Sequence, residues 1–361
     1  MIPRAAGTFP HPRSPANPRT PAWQRALADA VTDPAELLDL LGLDPSLANP
    51  ARLDPGLDLD RGHELFPLRV PRGYVARMRP GDPEDPLLLQ VLPLGREGDP
   101  APGFGADPLA ERRAGRRPGL LHKYRGRVLL VATGACAVHC RYCFRRHFPY
   151  ADHRPGAGGE GGSGWGAVLD ELAADRSIRE VILSGGDPLT LRDERLEELV
   201  RGLETIPHLE RLRIHTRNPV VLPERVDDRL LTWLSATRLR PVVVVHANHA
   251  REIDAAVRAA FGRLREAGAT LLNQSVLLAR VNDSADALAD LSEALFEAGA
   301  LPYYLHLLDR VAGAAHFEVP EERARRLAGE LAARLPGYLV PRLVREVPDR
   351  PAKVPVEAIL P

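Results

Sequence analysis

From residue 127 onward, short runs rich in β-branched residues and leucine alternate with longer stretches whose apolar residues recur three and four apart. The runs are "RVLLVAT" from 127, "EVILS" from 180, "RLRIHT" from 211, "PVVVVHA" from 241, "TLLNQSVLL" from 270 and "PYYLHLL" from 302. Between them lie "RDERLEELVRGLETI", "REIDAAVRAAFGRLREAG" and "SADALADLSEALFEAG". Spacing of three and four places the apolar residues on one helical face, and a closing Gly suits a helix C-terminus. Strand, helix, strand repeated along the chain predicts an α/β fold whose six strands run parallel through right-handed crossovers. An open doubly wound sheet and a partial barrel satisfy this pattern equally.

The first part of the chain reads differently. "PAWQRALADAVTDPAELLDLLGL", from 21, is helical in pattern, and turns such as "DPG" and "APGFGADP" follow it; 19 of the 35 prolines fall in the first 110 residues. This predicts a mostly helical region over 23–122 that wraps or caps the sheet and adds no strand to it. Residues 1–22, rich in Pro and Arg, are expected to form a disordered arm, and "GAGGEGGSGWG" at 156–166 has the composition of a flexible linker. The barrel or sheet then occupies 123–319, and 320–361 is a C-terminal segment.

Composition narrows the function. The 361 residues are 44% hydrophobic, enough for a large core, and 48 acids balance 48 bases. With no excess of charge, neither nucleic acid nor an anionic membrane is an expected partner, and a small-molecule substrate is the default. The first 20 residues hold no apolar stretch of signal-peptide length, and no segment is apolar for the 18 or so residues of a membrane helix. The expected location is the cytoplasm.

All three cysteines lie in "CAVHCRYC", as Cys136, Cys140 and Cys143, directly after the first predicted strand. That is too local for a disulfide framework, and the odd count argues the same way. Three thiolates this close can converge on one inorganic centre. A Cys3His zinc site using His139 or His147 is chemically feasible. A 4Fe-4S cluster held by three thiolates leaves one iron open to another ligand. The spacing favours the cluster, because structural zinc sites usually pair C-x2-C with a distant second pair.

Lysine is as informative as cysteine. The chain has 46 arginines and two lysines, Lys123 and Lys353. Where only positive charge is needed it uses arginine, so a retained lysine points to amine chemistry. A guanidinium stays protonated, whereas an amine in a desolvated site forms Schiff bases with aldehydes such as pyridoxal 5'-phosphate. The competing reading is compositional drift that left two surface lysines. Amine chemistry alone does not say which lysine would carry the aldehyde.

The CxxxCxxC spacing with Tyr142 before the last cysteine resembles the radical S-adenosylmethionine superfamily. In addition, "LLHKYRGRVLLVATGACAVHCRYCFRRHFPYA", "ILSGGDPL", "RIHTRNPVVLPERV", "PYYLHLLDRVAGAAHFEV" and "GYLVPRLVRE" resemble the lysine 2,3-aminomutases, over a span from "ALADAVTDPAELLDLLG" to Lys353. The likeness is strongest to the short bacterial branch that makes (R)-β-lysine for elongation factor P. It implies a partial (β/α)6 radical-SAM barrel. It also implies three cofactors: a 4Fe-4S cluster on Cys136, Cys140 and Cys143, S-adenosyl-L-methionine, and pyridoxal 5'-phosphate on Lys353. Lys123, Tyr124 and Arg127 match the positions holding the pyridoxal phosphate group. Arg145 matches the clamp on the substrate carboxylate, where fork geometry fits. Asp309 and Glu346 match the pair that meets the substrate's ε-ammonium. Tyr142, Ser184, Gly185, Gly186, Asp187, Arg217, His246 and Gln274 match positions around S-adenosylmethionine. Taken singly, most of these would be ordinary turn, surface or buried polar residues. At the carboxyl ends of successive strands they define one pocket on one face.

The resemblance implies an isomerase that moves the amino group of free L-lysine from carbon 2 to carbon 3, with a small flavodoxin- or ferredoxin-type reductant and a functional link to elongation factor P and its lysine ligase. This chain departs from many relatives in "VPDRPAKVP", a stiffer approach to Lys353 followed by Val354, and has Glu346 where other lysine aminomutases have Asp. It ends eight residues after Lys353, without the extension larger relatives use in assembly. Rival readings are a 2,3-aminomutase for glutamate or arginine, a radical enzyme modifying RNA, and a zinc-stabilised binding protein. A neutral chain with no spare cysteine argues against the RNA enzyme.

Overall fold

The computed structural model describes residues 20–44, 59–153 and 164–361. The expected N-terminal arm and glycine-rich linker fall almost wholly outside them. Ten strands form one sheet in the order of the sequence: β1 (Gly115–Arg117), β2 (Leu120–Tyr124), β3 (Arg127–Thr133), β4 (Glu180–Gly185), β5 (Arg211–Thr216), β6 (Arg240–Val245), β7 (Thr270–Val276), β8 (Leu301–His306), β9 (Arg342–Arg345) and β10 (Val354–Pro355). The six strands expected from the apolar runs are β3 to β8, and every neighbouring pair among them is parallel.

Sequential strand order separates the two architectures that periodicity left open. A doubly wound sheet reverses direction at a switch point so that helices cover both faces. Here each new strand joins the same growing edge, and right-handed crossovers then put every connecting helix on one side. The helices Asp193–Glu204, Asp228–Ala236 and Ala255–Glu266 share their buried residues with Val181, Leu183, Leu212, Ile214, Val243 and Val245 of the strands in one hydrophobic core. Side chains alternate along a strand. The residues between those, Arg213 and His215 on β5 among them, therefore face the other side, the concave interior of a partial barrel. His246 past β6, Gln274 on β7, and Tyr304 and His306 on β8 continue the same lining.

Both edges carry strands that the pattern did not predict. β1 and β2 form an antiparallel hairpin paired to β3, turning at Gly119 with φ +84°. The region before residue 123 therefore does add to the sheet, and the expected boundary at 122/123 falls inside β2. Lys123 and Tyr124 lie on a strand. At the far edge β9 pairs in parallel with β8, and β10 pairs antiparallel with β9, which brings residue 353 back to the barrel.

The N-terminal stretch of helical pattern forms two seven-residue helices, Ala22–Ala28 and Pro34–Leu40, the second beginning at Pro34. Asp33 caps the second by accepting from the Ala35 amide at 2.9 Å. Trp23, Leu37, Tyr74, Leu87 and neighbours form a second core that also contains Ala137 and Val138 of the cysteine loop. The N-terminal region thus packs directly on that loop. The C-terminal tail lies across helix Glu321–Arg334: the Ile359 amide donates to Arg325 O at 2.9 Å, and a Cβ on Gly329 would come within 1.8 Å of Ile359 O.

Candidate functional site

The cysteine loop leaves the carboxyl end of β3 and is stitched to the end of β4. The Gly186 amide donates to Thr133 O at 2.7 Å, and the Asp187 amide to Ala135 O at 2.8 Å. A side chain on Gly186 would meet Ala135 O at 2.4 Å, and Gly185, at φ +112°, would collide with Thr133 O at 2.7 Å. Only glycine lets the two backbones approach this closely. Behind the loop, the fully buried Glu97 carboxylate accepts from Arg141 and Arg146, and both guanidinium groups lie over the Phe66 ring.

All three cysteines are free thiols. Burial raises the Cys136 and Cys143 thiols, Cys143 to about 11, and neighbouring loop sulfurs raise both further. The sulfurs therefore share one electrostatic environment, in which an iron cluster would displace their protons. Arg217, just past β5, donates to Cys140 Sγ at 2.7 Å and to the Tyr142 hydroxyl at 2.6 Å. Its other terminal nitrogen donates to Gln90 Oε1 at 2.7 Å and Glu252 Oε2 at 3.0 Å. Its Nε is buried without a partner. Burial and Arg217 hold the His246 imidazole down at about 3, so it is neutral, and Tyr142 stacks on it and hydrogen-bonds it at 3.0 Å. Asn248 completes the network, donating to Gln90 and Tyr142.

Asp187 behaves differently from the ligand contact expected of it. Its carboxylate accepts from the Leu189, Arg217 and Asn218 amides and the Thr216 hydroxyl, at 2.7 to 3.0 Å. Burial pushes its pKa up, against those four donors. It ties the end of β4 to the end of β5. The resemblance located the residue, but its acceptor capacity is spent on the fold. Gln274 lies on the barrel lining, beside Tyr304 across the β7–β8 register.

The chain's two lysines hold the same carboxylate. Lys123 Nζ is 2.9 Å from Glu346 Oε1, and Lys353 Nζ donates to Glu346 Oε2. Lys123 also pairs with Glu111 Oε1 at 3.0 Å, and Glu111 grips Arg145 through two contacts of 2.7 and 2.8 Å. Arg145 in turn donates to Ser184 Oγ at 3.0 Å and Gly185 O at 3.3 Å. A continuous alternation of charge thus runs from Lys353 through Glu346, Lys123 and Glu111 to Arg145, two residues from Cys143. The Lys353 side chain is 21% exposed, with its amine 5.9 Å above the Tyr304 ring. Its charge helps to lower the buried His215 and His306 imidazoles of the barrel lining.

Electrostatics follows this geometry. Burial would raise Glu346, but Lys353 and Lys123 outweigh it and hold the carboxyl well below the usual range. Burial would lower Lys123, but Glu111 and Glu346 raise it. Burial, then Glu346, push Asp309 up to about 7, against Lys353 and Lys123. Asp309 lies three residues past β8 and shares this charge cluster. Burial and Glu346 raise the Tyr124 phenol, and Arg127 lies 4.6 Å over the Tyr124 ring. A carbonyl cofactor bearing an anionic group fits this donor set, with an amine at the mouth and a cation, a hydroxyl and a guanidinium beside it. Of the two histidines considered for a Cys3His zinc site, His139 Nδ1 contacts Pro67 O at 2.7 Å and His147 Nε2 contacts Ala312 O at 3.1 Å. Among the described residues, no three His, Cys, Asp or Glu side chains converge on a single metal ion.

Sequence reasoning missed Glu111, Gln90, Glu252, Tyr74, Asn248 and His215. Glu111, Gln90 and Tyr74 are lone polar residues in unremarkable stretches, and each meets a partner more than 30 residues away. His215 lies on the barrel lining within the fields of Lys353 and Arg145; burial, then Arg213, push its imidazole well down, and its Nε2 is buried without a partner.

The site thus combines a sequential partial barrel, a three-cysteine loop after β3 and two lysines on one carboxylate, the residue types of a cofactor-dependent enzyme. No family model matches the chain. It is 49% identical over 335 residues to the L-lysine 2,3-aminomutase of Escherichia coli, covering 93% of this chain and 94% of that one. It is 46% identical over 345 residues to the Haemophilus influenzae enzyme of the same name, covering 95% and 97%. The Clostridium subterminale enzyme is 36% identical over 286 residues, covering 78% of this chain and 67% of its own. The chain belongs to the radical S-adenosylmethionine lysine 2,3-aminomutase family, and it is an isomerase. The family implies S-adenosylmethionine and a 4Fe-4S cluster. No helix among the described residues is long and apolar enough to cross a membrane.

Proposed function

We propose that this protein converts free L-lysine to (R)-β-lysine by moving the amino group from carbon 2 to carbon 3, and that the product serves modification of elongation factor P. The observation that carries the reading is the sharing of Glu346 by Lys123 and Lys353, the only lysines of the chain, joined by ion pairs to Arg145 beside the cysteine loop. The assignment to elongation factor P rests on the likeness of "GYLVPRLVRE", with its Glu346, to that branch.

When bound, the cluster with S-adenosylmethionine supplies hydrogen-atom abstraction, and pyridoxal phosphate supplies the aldehyde that carries the migrating nitrogen. Cys136, Cys140 and Cys143 hold the cluster. Arg217 steadies the sulfur side, and Gly185 and Gly186 let β4 close on the loop. Lys353 holds the cofactor aldehyde, with Lys123, Tyr124 and Arg127 on its phosphate. Arg145 takes the substrate carboxylate. Asp309 and Glu346 receive the ε-ammonium, which must be paired once desolvated. Glu346 is shared by the two lysines; once Lys353 is committed to the cofactor, Oε2 becomes open to the substrate's cation while Lys123 stays on Oε1. Tyr142, Ser184, His246 and Gln274 line the side given to S-adenosylmethionine. Two acids at the far end suit a cationic side chain, which separates lysine from glutamate.

Anaerobic reconstitution with iron, sulfide and pyridoxal phosphate, followed by product analysis with free L-lysine and a strong reductant, tests the proposal. β-Lysine is the expected product. A fully loaded protein that leaves lysine unchanged and rearranges another amino acid refutes it.

A further inference from the structure

Arg145 and Lys123 come from different elements, the cysteine loop and β2, yet one buried carboxylate joins them. Glu111 stands at the start of a short helical turn, Glu111–Arg113, ahead of β1. Its own amide donates to Asp107 Oδ1 at 2.9 Å, which fixes the turn, and its side chain is 3% exposed. Oε2 accepts from Arg145 Nε at 2.7 Å; Oε1 accepts from Arg145 Nη2 at 2.8 Å and lies 3.0 Å from Lys123 Nζ.

We propose that Glu111 is a positioning residue that fixes the separation of Arg145 from Lys123, and so the spacing between the substrate carboxylate and the cofactor phosphate. This rests on the roles proposed above for those two cations. Substrate and cofactor become one covalently joined ligand, so the groups receiving its two anionic ends must stand at a set distance. A single carboxylate bridging both cations is a rigid way to set it.

The geometry also shows which face of Arg145 a ligand meets. Glu111 occupies the side edge of the guanidinium, through Nε and Nη2, while Ser184 Oγ and Gly185 O lie on Nη1. Four of the five N–H donors are thereby engaged, and the second Nη2 hydrogen, on the end edge, is the one left for a substrate carboxylate. Glu111 is not a plug that substrate displaces. Pushed off Arg145, its carboxylate would remain in the interior with Lys123 alone, and a buried charge stripped of a partner is strongly unfavourable.

The test is Glu111→Gln, which keeps the shape and removes the charge. Its amide has one acceptor oxygen, so it cannot serve both cations as the carboxylate does. Pyridoxal phosphate affinity is read by absorbance titration of protein holding the cluster, without S-adenosylmethionine. The KM for lysine is compared with the inhibition constant of cadaverine, which lacks the carboxylate. Expected are an affinity for pyridoxal phosphate about fivefold weaker, a lysine KM about tenfold higher, and a smaller change for cadaverine, at unchanged iron and sulfide content. Unchanged or tighter binding of both pyridoxal phosphate and lysine overturns the inference. If Glu111→Gln does not fold, Glu111→Asp carries the test: it keeps the charge one methylene short, so the lysine KM still rises, and wild-type values overturn the inference. Wild-type protein that takes up no pyridoxal phosphate sinks the functional reading itself, and this inference with it.

Discussion

The two sides of the pocket are built on opposite principles. On the sulfur side, Arg217, Glu252, Gln90, Asn248 and Tyr142 are buried side chains from different segments, packed against two hydrophobic cores. On the lysine side, Lys123, Glu346 and Lys353 come from or beside β2, β9 and β10, at the two edges of the sheet, and each is partly open to solvent. A fixed buried network suits a group that must hold an iron centre in one place. Exchangeable ion pairs at strand edges suit a region that takes up a cofactor and then a substrate, trading one counter-ion for another each time.

Substitutions sharpen that contrast, the largest effect falling on the sulfur side. Arg217→Met leaves the buried Glu252 carboxylate without its guanidinium, which costs about 3–5 kcal/mol, enough to lower Tm by roughly 10 °C in a domain of this size. Lys123→Met is expected to cost less, about 1–3 kcal/mol, because Glu111 keeps Arg145 and Glu346 keeps Lys353 as partners, while weakening pyridoxal phosphate binding. Thermal melts of the two variants check the difference; equal losses would erase the distinction between the two sides.

Gly329→Ala comes next. A Cβ there would press on Ile359 O, and overpacking of this kind costs about 1–3 kcal/mol. The tail that delivers Lys353 is expected to lift from helix Glu321–Arg334, lowering uptake of pyridoxal phosphate while the iron content stays at wild type. Loss of iron in step with the cofactor would mean that the tail and the cysteine loop are not separately supported.

The smallest effect is a pH dependence. Asp309 is neutral below its pKa of about 7 and anionic above it, so 1/KM for lysine should rise as pH increases to about 7 and then level off. One unit below that pKa the affinity should fall by about tenfold. In Asp309→Asn the profile should be flat through this range. Because the native pKa lies above the ordinary 3.8, the same group loses its favourable contribution to stability as pH rises from about 4 through 7. A wild-type KM that does not vary between pH 6 and 8 would remove Asp309 from the ammonium site.

Much of this was legible in the chain. The apolar runs located β3 to β8 because each strand buries alternate residues against a helix, and the closing glycines at 268 and 299 mark real helix ends, both at positive φ. The hairpin of β1 and β2 was not legible: "GRRPGLLHKYRG" is dense in arginine and glycine, and its only buried apolar pair, Leu120 and Leu121, is too short to show a period. β9 and β10 are four and two residues long, too short for any period to show. The cysteines, Arg145, Asp309, Glu346 and the lysines came from rare residue types or motif likeness. Glu111 and Glu252 gave no such signal. Each is one acid among 48, and its meaning lies in partners 34 and 35 residues away.

The account stands or falls on which amine carries the aldehyde. Wild-type protein incubated with pyridoxal phosphate, reduced with borohydride and digested for peptide mass analysis reads this directly. The pyridoxyl adduct is expected on Lys353; an adduct on Lys123 in its place would contradict the account.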